Sequence, residues 1–121
     1  MAKRVTVRTI TIGQAMGGTT YLPTDGLDVS AYEEGVLAIK LDVTDGTFTA
    51  VVQSYDTIAD WHDIKDMFGQ ATTKVFTIGP SNDQLHNWQL RNFGKAIRVK
   101  FTAVGATQAA NVNQLIWIGK S

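Results

Sequence analysis

The chain has 121 residues, of which 44% are hydrophobic, with 11 basic and 11 acidic side chains and no cysteine. This length is typical of one domain, and the apolar content is enough to form a core. Without cysteine, disulfides, thiolate metal sites and a cysteine nucleophile are excluded. Because the formal net charge is zero, the global attraction that favours nucleic acids or anionic membranes is missing, and neither is an expected partner.

The first predicted strand covers residues 3–12, where charged side chains are interleaved with β-branched ones. This region lacks the apolar stretch of a signal peptide. No apolar run in the sequence approaches the roughly 20 residues that a membrane-spanning helix needs. We therefore expect a soluble product made in the host cytoplasm.

Residues 13–26 contain four glycines and show no regular period. They are predicted to form an irregular loop or arm within the domain, and two interpretations stay open: an arm ordered by a partner, or a crossover between two sheets. The glycine spacing is superficially similar to a phosphate-binding loop. The lysine and the following helix of such a loop are missing, so nucleotide binding of that kind is excluded.

The clearest alternation of apolar and polar side chains lies in residues 36–43 and resumes in residues 47–52. Between them, Asp45 and Gly46 form the Asp-Gly pair that is typical of tight hairpin turns. The sequence therefore predicts a β-hairpin over residues 36–55.

The remaining elements complete an all-β prediction. Further strands are predicted at residues 27–29, 61–67, 74–78, 96–104 and 112–118. The only candidate for a helical turn is residues 81–88, which are short and polar. Seven or eight short strands in one domain, residues 1–121, indicate a two-sheet antiparallel β-sandwich of jelly-roll type.

The sequence offers no convergent set of catalytic or metal-binding groups. The only histidines are His62 and His86, and neither lies in a recognisable catalytic motif. His62 has Asp60 on the same side of its predicted strand, whereas zinc or catalytic iron needs three ligands. We interpret this region as an exposed strand and predict no catalytic residue, no metal, no cofactor and no enzymatic activity.

Charge is divided unevenly along the chain, with −4 in residues 1–60 and +4 in residues 61–121. If the first and last strands are adjacent, basic side chains at both ends of the chain form one surface, which consists of Lys3, Arg4, Arg8, Arg91, Lys95, Arg98, Lys100 and Lys120. Two interpretations stay open: a surface complementary to copies of the chain or to another subunit, or ordinary solvated strand faces. Among the tryptophans, Trp61 and Trp117 are interpreted as packing residues and Trp88 as exposed.

Two short sequences resemble small β-sandwich virion proteins of tailed bacteriophages. Residues 53–64, which read QSYDTIADWHDI, are similar to a hairpin of these proteins that restarts with Asp-Trp, and residues 90–105 are similar to one of their strands and the turn after it. The resemblance extends over residues 36–118 in layout. It implies a non-enzymatic capsid decoration, or cement, protein that binds the major capsid protein at the virion surface in several copies, often as trimers.

On this hypothesis the residues expected to contact partners are Lys3, Arg4, Arg8, Tyr21, Leu22, Trp88, Arg91 and Lys95. The partners are the major capsid protein and copies of the chain itself. The alternative hypothesis is a carbohydrate-binding or receptor-binding module of a phage tail or baseplate. In that module Trp88 or Tyr21 would stack on a sugar ring.

Overall fold

The computed structural model describes residues 5–78 and 84–121, which form an antiparallel all-β structure, as predicted. The strands are β1 (Val5–Met16), β2 (Thr19–Asp28), β3 (Glu34–Asp56), β4 (Asp60–Asp63), β5 (Lys74–Thr77), β6 (Gln84–Arg91) and β7 (Ala96–Lys120). Among the described residues, no helix is long and apolar enough to cross a lipid bilayer.

The two long strands β3 and β7 organise the molecule, because they pair with each other along nearly their whole lengths. The register shifts between Val43 and Asp45 and again between Asp45 and Thr47. Before these shifts the inward side chains of β3 have odd numbers, ending at Val43, and after them even numbers, starting at Phe48. The β-bulges thus let both parts of the strand face one core.

The predicted hairpin over residues 36–55 is wrong. Residues 36–43 and 48–52 do not pair with each other, since each segment pairs with a different part of β7. Gly46 has the positive φ of 76° that the Asp-Gly pair permits, but it lies within the bulged region of a continuous strand. A positive φ suits a bulge as well as a turn. Likewise, the strands predicted at residues 96–104 and 112–118 are parts of one strand, β7.

All seven strands belong to one sheet. The sheet curves into a nearly closed barrel. Half-barrel I contains β1, β6 and residues 34–45 and 109–120 of the long strands, and half-barrel II contains β2, β4, β5 and residues 47–56 and 96–104. The predicted arrangement of two separate sheets is therefore not found, because the long strands join both halves.

The segment predicted to be irregular is mostly strand. β1 continues to Met16, β2 begins at Thr19, and Leu22 and Leu27 are buried in the core. Only residues 23–26 leave the ladder with β7, following the cis peptide bond between Leu22 and Pro23. Pairing through backbone groups explains this result, because a ladder does not require alternating side chains.

The candidate helical turn at residues 81–88 is also wrong for the part of this segment that the structure describes. Residues 81–83 lie outside the described residues, while residues 84–88 belong to β6 and pair with β3. The exposed side chains of β6 alternate with less exposed ones that face inward. Tertiary pairing thus overrides the weak local preference for a helix.

The core lies between the two half-barrels. Its largest fully buried side chains are Trp117, Phe48, Phe76, Phe101, Leu37, Leu41, Leu90, Ile97 and Leu115. They come from β3, β5, β6 and β7, at the inward positions of the period-two pattern. Trp117 is a core residue, as the sequence indicated.

Thr72 joins three segments at the seam between β6 and half-barrel II. Its Oγ1 accepts a hydrogen bond from Val52 N (3.0 Å) and donates one to Ile64 O (3.0 Å). Its carbonyl accepts the indole N–H of Trp88 (2.7 Å). Thr72 is only 2% exposed. Water therefore cannot take over the hydrogen bonds that its hydroxyl makes.

We expect the Thr72→Val variant to lose about 1–3 kcal/mol of unfolding free energy, because the buried N–H of Val52 loses its acceptor. Urea denaturation measures this difference. The matched control is Thr73→Val, since Thr73 is exposed and its substitution should change stability little. Equal effects of the two substitutions would contradict the role assigned to the Thr72 hydroxyl.

His86 gives the protein a pH dependence. Its ring lies edge-to-face with Trp88, with the ring centroids 4.8 Å apart. Desolvation by burial, with a smaller contribution from the charge of Lys74, lowers the pKa of His86 below its ordinary value of 6.5. The unfolded chain therefore binds this proton at a higher pH than the folded chain does.

We expect the unfolding free energy to fall as the pH decreases from about 7.5 to about 5.5, through the unfolded-state pKa and towards the folded one. The His86→Phe variant keeps an aromatic ring beside Trp88 but cannot titrate. Its loss over the same interval should be smaller, as measured by urea denaturation at both pH values. An identical loss in both proteins would contradict this assignment.

Candidate functional site

The outer surface of half-barrel II carries a row of polar side chains centred on Arg98. Ile97 and Val99 point into the core, so the alternation of β7 directs Arg98 outward. The strand register places Gln53 of β3 opposite Arg98, and Asp63 of β4 opposite Gln53. Three neighbouring strands therefore contribute one side chain each to the row.

Arg98 is held between two aromatic rings. Its guanidinium carbon lies 4.1 Å from the centroid of the Tyr21 ring and 4.1 Å from that of Trp61. Each cation–π contact of this kind contributes about 0.5–1 kcal/mol at exposed sites. Tyr55 packs against Trp61 at 5.5 Å between ring centroids. The Trp61 ring also covers Gly26, where a Cβ would lie 2.6 Å from the ring.

Hydrogen bonds fix the orientation of the guanidinium within the row. Arg98 Nε donates to Gln53 Oε1 (2.9 Å), and Gln53 Nε2 donates to Asp63 Oδ1 (2.9 Å). Within the described ranges, no side chain forms an ion pair with Arg98 or accepts a hydrogen bond from its Nη atoms. Arg98 thus presents a rigid positive charge with two unused nitrogen atoms. We refer to Tyr21, Gln53, Trp61 and Arg98 as the arginine clamp.

A groove of about 400 Å³ lies beside the arginine clamp. It is lined by Asp25, Gly26, Asp28, Ser30, Tyr55, Lys95 and Ala96. The side-chain and backbone hydrogen bonds from Ser30 lower the pKa of Asp28, and the charge of Arg8 adds to this effect. The groove therefore offers carboxylates, one ammonium group and the side of an aromatic ring.

Two residues predicted to contact partners lie in the core instead. Leu22 is 5% exposed and Trp88 is 3% exposed, so neither is available at the surface. Trp88 has polar neighbours in sequence, but the carbonyl of Thr72 satisfies its indole N–H. The prediction of an exposed Trp88 is therefore wrong.

Among the described basic residues predicted to contact partners, Arg8 and Arg91 do not lie on adjacent strands. β1 and β7 are adjacent, as the charge argument required, but Arg8 on β1 and Arg91 on β6 lie at opposite edges of half-barrel I. Arg91 forms an ion pair with Glu34 at 2.6 Å. Lys95 lines the groove and Tyr21 belongs to the arginine clamp, while Lys3 and Arg4 lie outside the described residues.

The sequence interpretation did not select Gln53 or Tyr55 as site residues, and it included Arg98 only in the basic surface expected from the two ends of the chain. The alternation of residues 96–104 did place Arg98 on an outward face. Nothing in the sequence indicated that Tyr21 and Trp61 enclose it, because these residues come from strands β2 and β4. Trp61, interpreted as a packing residue, is half-buried at the sheet edge.

The surroundings of His62 do not form a metal-binding group with its neighbours Asp56 and Asp60. His62 Nδ1 lies 3.8 Å from Asp56 Oδ2, and in the tautomer that carries a proton on Nδ1 it donates a hydrogen bond to the carbonyl oxygen of Asp60 (3.0 Å). In the parts of the chain that the structure describes, no three His, Asp or Glu side chains are grouped to bind a metal ion.

The fold defines the chain as an all-β protein with a nearly closed antiparallel barrel. It is similar to the SPBc2 prophage-derived protein YomS, with a TM-score of 0.53 and 14% identity over 100% of this chain and 96% of YomS. At this identity the similarity shows the fold alone. No protein-family model and no curated protein matches the chain.

A second solved structure is the isomalto-dextranase of Arthrobacter globiformis T6 in complex with panose. The aligned region covers 94% of this chain but 23% of the enzyme, with 14% identity and a TM-score of 0.44. This similarity is too low to support an argument about fold or function.

Proposed function

We propose that this chain is a structural protein of a bacteriophage particle, and that it acts as a decoration subunit bound to the capsid shell. The observation that carries the proposal is the similarity of fold to a prophage-derived protein over nearly the full length of both chains. The resemblance of residues 53–64 and 90–105 to virion proteins points in the same direction. No step of this function requires catalysis or a cofactor.

The outer surface of half-barrel I supports a role in protein contacts. Val7, Ile118 and Val36 lie side by side in the register of β1, β7 and β3. Val7 is 64% exposed, and Leu85 on β6 is 72% exposed. Apolar side chains gathered on an exposed sheet are typical of surfaces that bind other proteins. With the arginine clamp on half-barrel II, the chain offers two sides to neighbouring subunits.

The test uses particles of the phage whose genome encodes this chain. Mass spectrometry of purified particles should detect the protein, and purified protein should cosediment with assembled shells and raise their disassembly temperature. Its absence from the particles, or failure to bind shells, would contradict the proposed function. Binding to isolated tails but not to shells would place the protein elsewhere in the particle.

The groove favours a second candidate, a carbohydrate-binding or receptor-binding module of a tail or baseplate. Tyr55 supplies an aromatic ring, and Asp25, Asp28 and Lys95 supply groups that bind sugar hydroxyls. This candidate predicts glycan binding that the Tyr55→Ala variant loses. A glycan array without signal, together with tryptophan fluorescence unchanged by sugars, would contradict it.

A further inference from the structure

We infer that the arginine clamp is the anchor for a carboxylate side chain of a neighbouring protein. This inference rests on the proposed function and specifies the chemistry of one contact. The primary observation is that Arg98 is half-buried, held on both sides by rings, and without an anionic partner among the described residues.

The geometry of Arg98 suits a carboxylate. The side-chain oxygen of Gln53 accepts the hydrogen bond of Arg98 Nε, so the two Nη atoms of Arg98 remain for another acceptor. A planar guanidinium binds a carboxylate through two parallel charge-assisted hydrogen bonds, which are stronger than neutral ones. Because Tyr21 and Trp61 already hold the side chain in place, binding costs little additional rotamer entropy.

Several features favour a protein as the source of the carboxylate. Tyr, Trp and Arg are the residue types that contribute most at protein interfaces. Along the same outer surface the register continues from Arg98 through Lys100 to the exposed apolar side chains of Val75 and Val104, which are 52% and 61% exposed. A partner that presents an acidic residue next to apolar ones is complementary to this surface.

The charges around the clamp also give the contact a direction. On one side, the groove carries two carboxylates, Asp25 and Asp28, and one ammonium group, Lys95, so its net negative charge disfavours an anionic ligand. At the β4 end of the row, the carboxylate of Asp63, which accepts a hydrogen bond from Gln53, disfavours it as well. On the other side, Lys100 adds a second positive charge two positions along β7. The partner segment is therefore expected to extend from Arg98 towards Lys100 and away from the groove.

The first experiment tests the clamp on the purified full-length chain with a hexaglutamate peptide and, as its control, a hexaglutamine peptide. NMR should show saturating shifts of the Arg98 Nε–H and Trp61 indole N–H signals with hexaglutamate only. Added salt should reduce these shifts, because exposed charges are screened within about 10 Å at 0.1 M ionic strength. Equal shifts with hexaglutamine would overturn the inference.

Two variants make the test specific. Arg98→Lys keeps the charge but loses the planar group that stacks and binds two oxygen atoms, and it should abolish the shift of Trp61. Arg91→Lys is the matched control, since Arg91 lies on half-barrel I, and it should respond as the wild type does. An unchanged Trp61 response in Arg98→Lys would overturn the inference. Thermal unfolding of both variants confirms that they are folded.

An anionic glycan is the competing ligand class. An oligosaccharide of N-acetylneuraminic acid should not shift the Arg98 and Trp61 signals more than hexaglutamate does. If it shifts them while hexaglutamate does not, the carboxylate belongs to a glycan and the assignment to a protein is overturned.

The second experiment separates this inference from the proposed function. Arg98→Lys should bind shells about tenfold more weakly than the wild type, as expected for an interface residue that contributes more than about 1.4 kcal/mol. The control is Lys65→Arg, an exposed substitution between β4 and β5 that keeps the charge, and it should bind as the wild type does. If Arg98→Lys binds shells equally well, the anchor is wrong but the decoration role stands. If the wild type does not bind shells, the decoration role fails, and the peptide experiment alone decides the chemistry of the clamp.

Discussion

Gly35→Ala is expected to destabilise the protein by about 3 kcal/mol, at the upper end of the usual cost of overpacking a core. Gly35 of β3 is covered by the indole of Trp117. A Cβ at this position would lie 2.5 Å from Trp117 Cζ2 and 2.8 Å from the carbonyl oxygen of Ile118. Trp117 is fully buried and the carbonyl belongs to a paired strand, so neither neighbour can move away easily. Urea denaturation measures the loss.

A double-mutant cycle tests this explanation. The Trp117→Phe substitution removes the outer ring atoms that the new Cβ would meet, although the Ile118 carbonyl stays in place. The double variant Gly35→Ala/Trp117→Phe should therefore lose less stability than the sum of the two single variants, by about 0.5–3 kcal/mol. Additive losses would show that the ring contact is not the cause.

The Phe48→Ala variant is expected to lose about 3–5 kcal/mol, the usual cost of removing a buried aromatic side chain. Phe48 is the first inward side chain of β3 after the bulges, and it lies between Phe76 of β5 and Ala103 of β7 in the register. It is 0% exposed, so the substitution leaves a cavity where the two half-barrels meet.

The matched control for Phe48 is Phe68→Ala. Phe68 is 67% exposed, and its truncation should change stability by about 0.5 kcal/mol or less. Urea denaturation of both variants compares the same chemical change inside and outside the core. A loss in Phe48→Ala no larger than that in Phe68→Ala would contradict the assignment of Phe48 to the core.

The architecture is compatible with the proposed role as a structural subunit. The inward positions of both half-barrels form one core, while the outward positions are left for contacts with other molecules. Both proposed contact surfaces consist of side chains on paired strands, and such sites are held more rigidly than sites on loops. The proposed contact of Arg98 with a carboxylate requires such rigidity, because the guanidinium must keep its orientation before the partner binds.

The sequence by itself determined the all-β class and most of the inward side chains. The alternation of Leu37, Ile39, Leu41 and Val43, and that of Ile97, Val99 and Phe101, correctly indicated which side chains are buried. The reason is physical: successive side chains of a strand point to opposite faces, so a strand with one buried face carries a period of two. The strand that opens the chain was predicted from its β-branched residues, which are interleaved with charged ones.

Connections between strands were not determined by local sequence. Asp45 and Gly46 give the same local signal for a hairpin turn and for a bulge, and only pairing with β7 decides between them. Trp88 has polar neighbours along the chain, yet its indole N–H is satisfied by Thr72 across a seam of the barrel. The burial of Leu22 similarly depends on the pairing of β2 with β7.

The arginine clamp was decided entirely by the tertiary structure. The sequence placed Arg98 on an outward face, but its neighbours Tyr21, Gln53 and Trp61 come from three other strands. The attraction between a guanidinium and an aromatic ring acts over a few ångströms. It leaves no periodic trace in the sequence and arises only when the barrel brings β2, β3, β4 and β7 side by side.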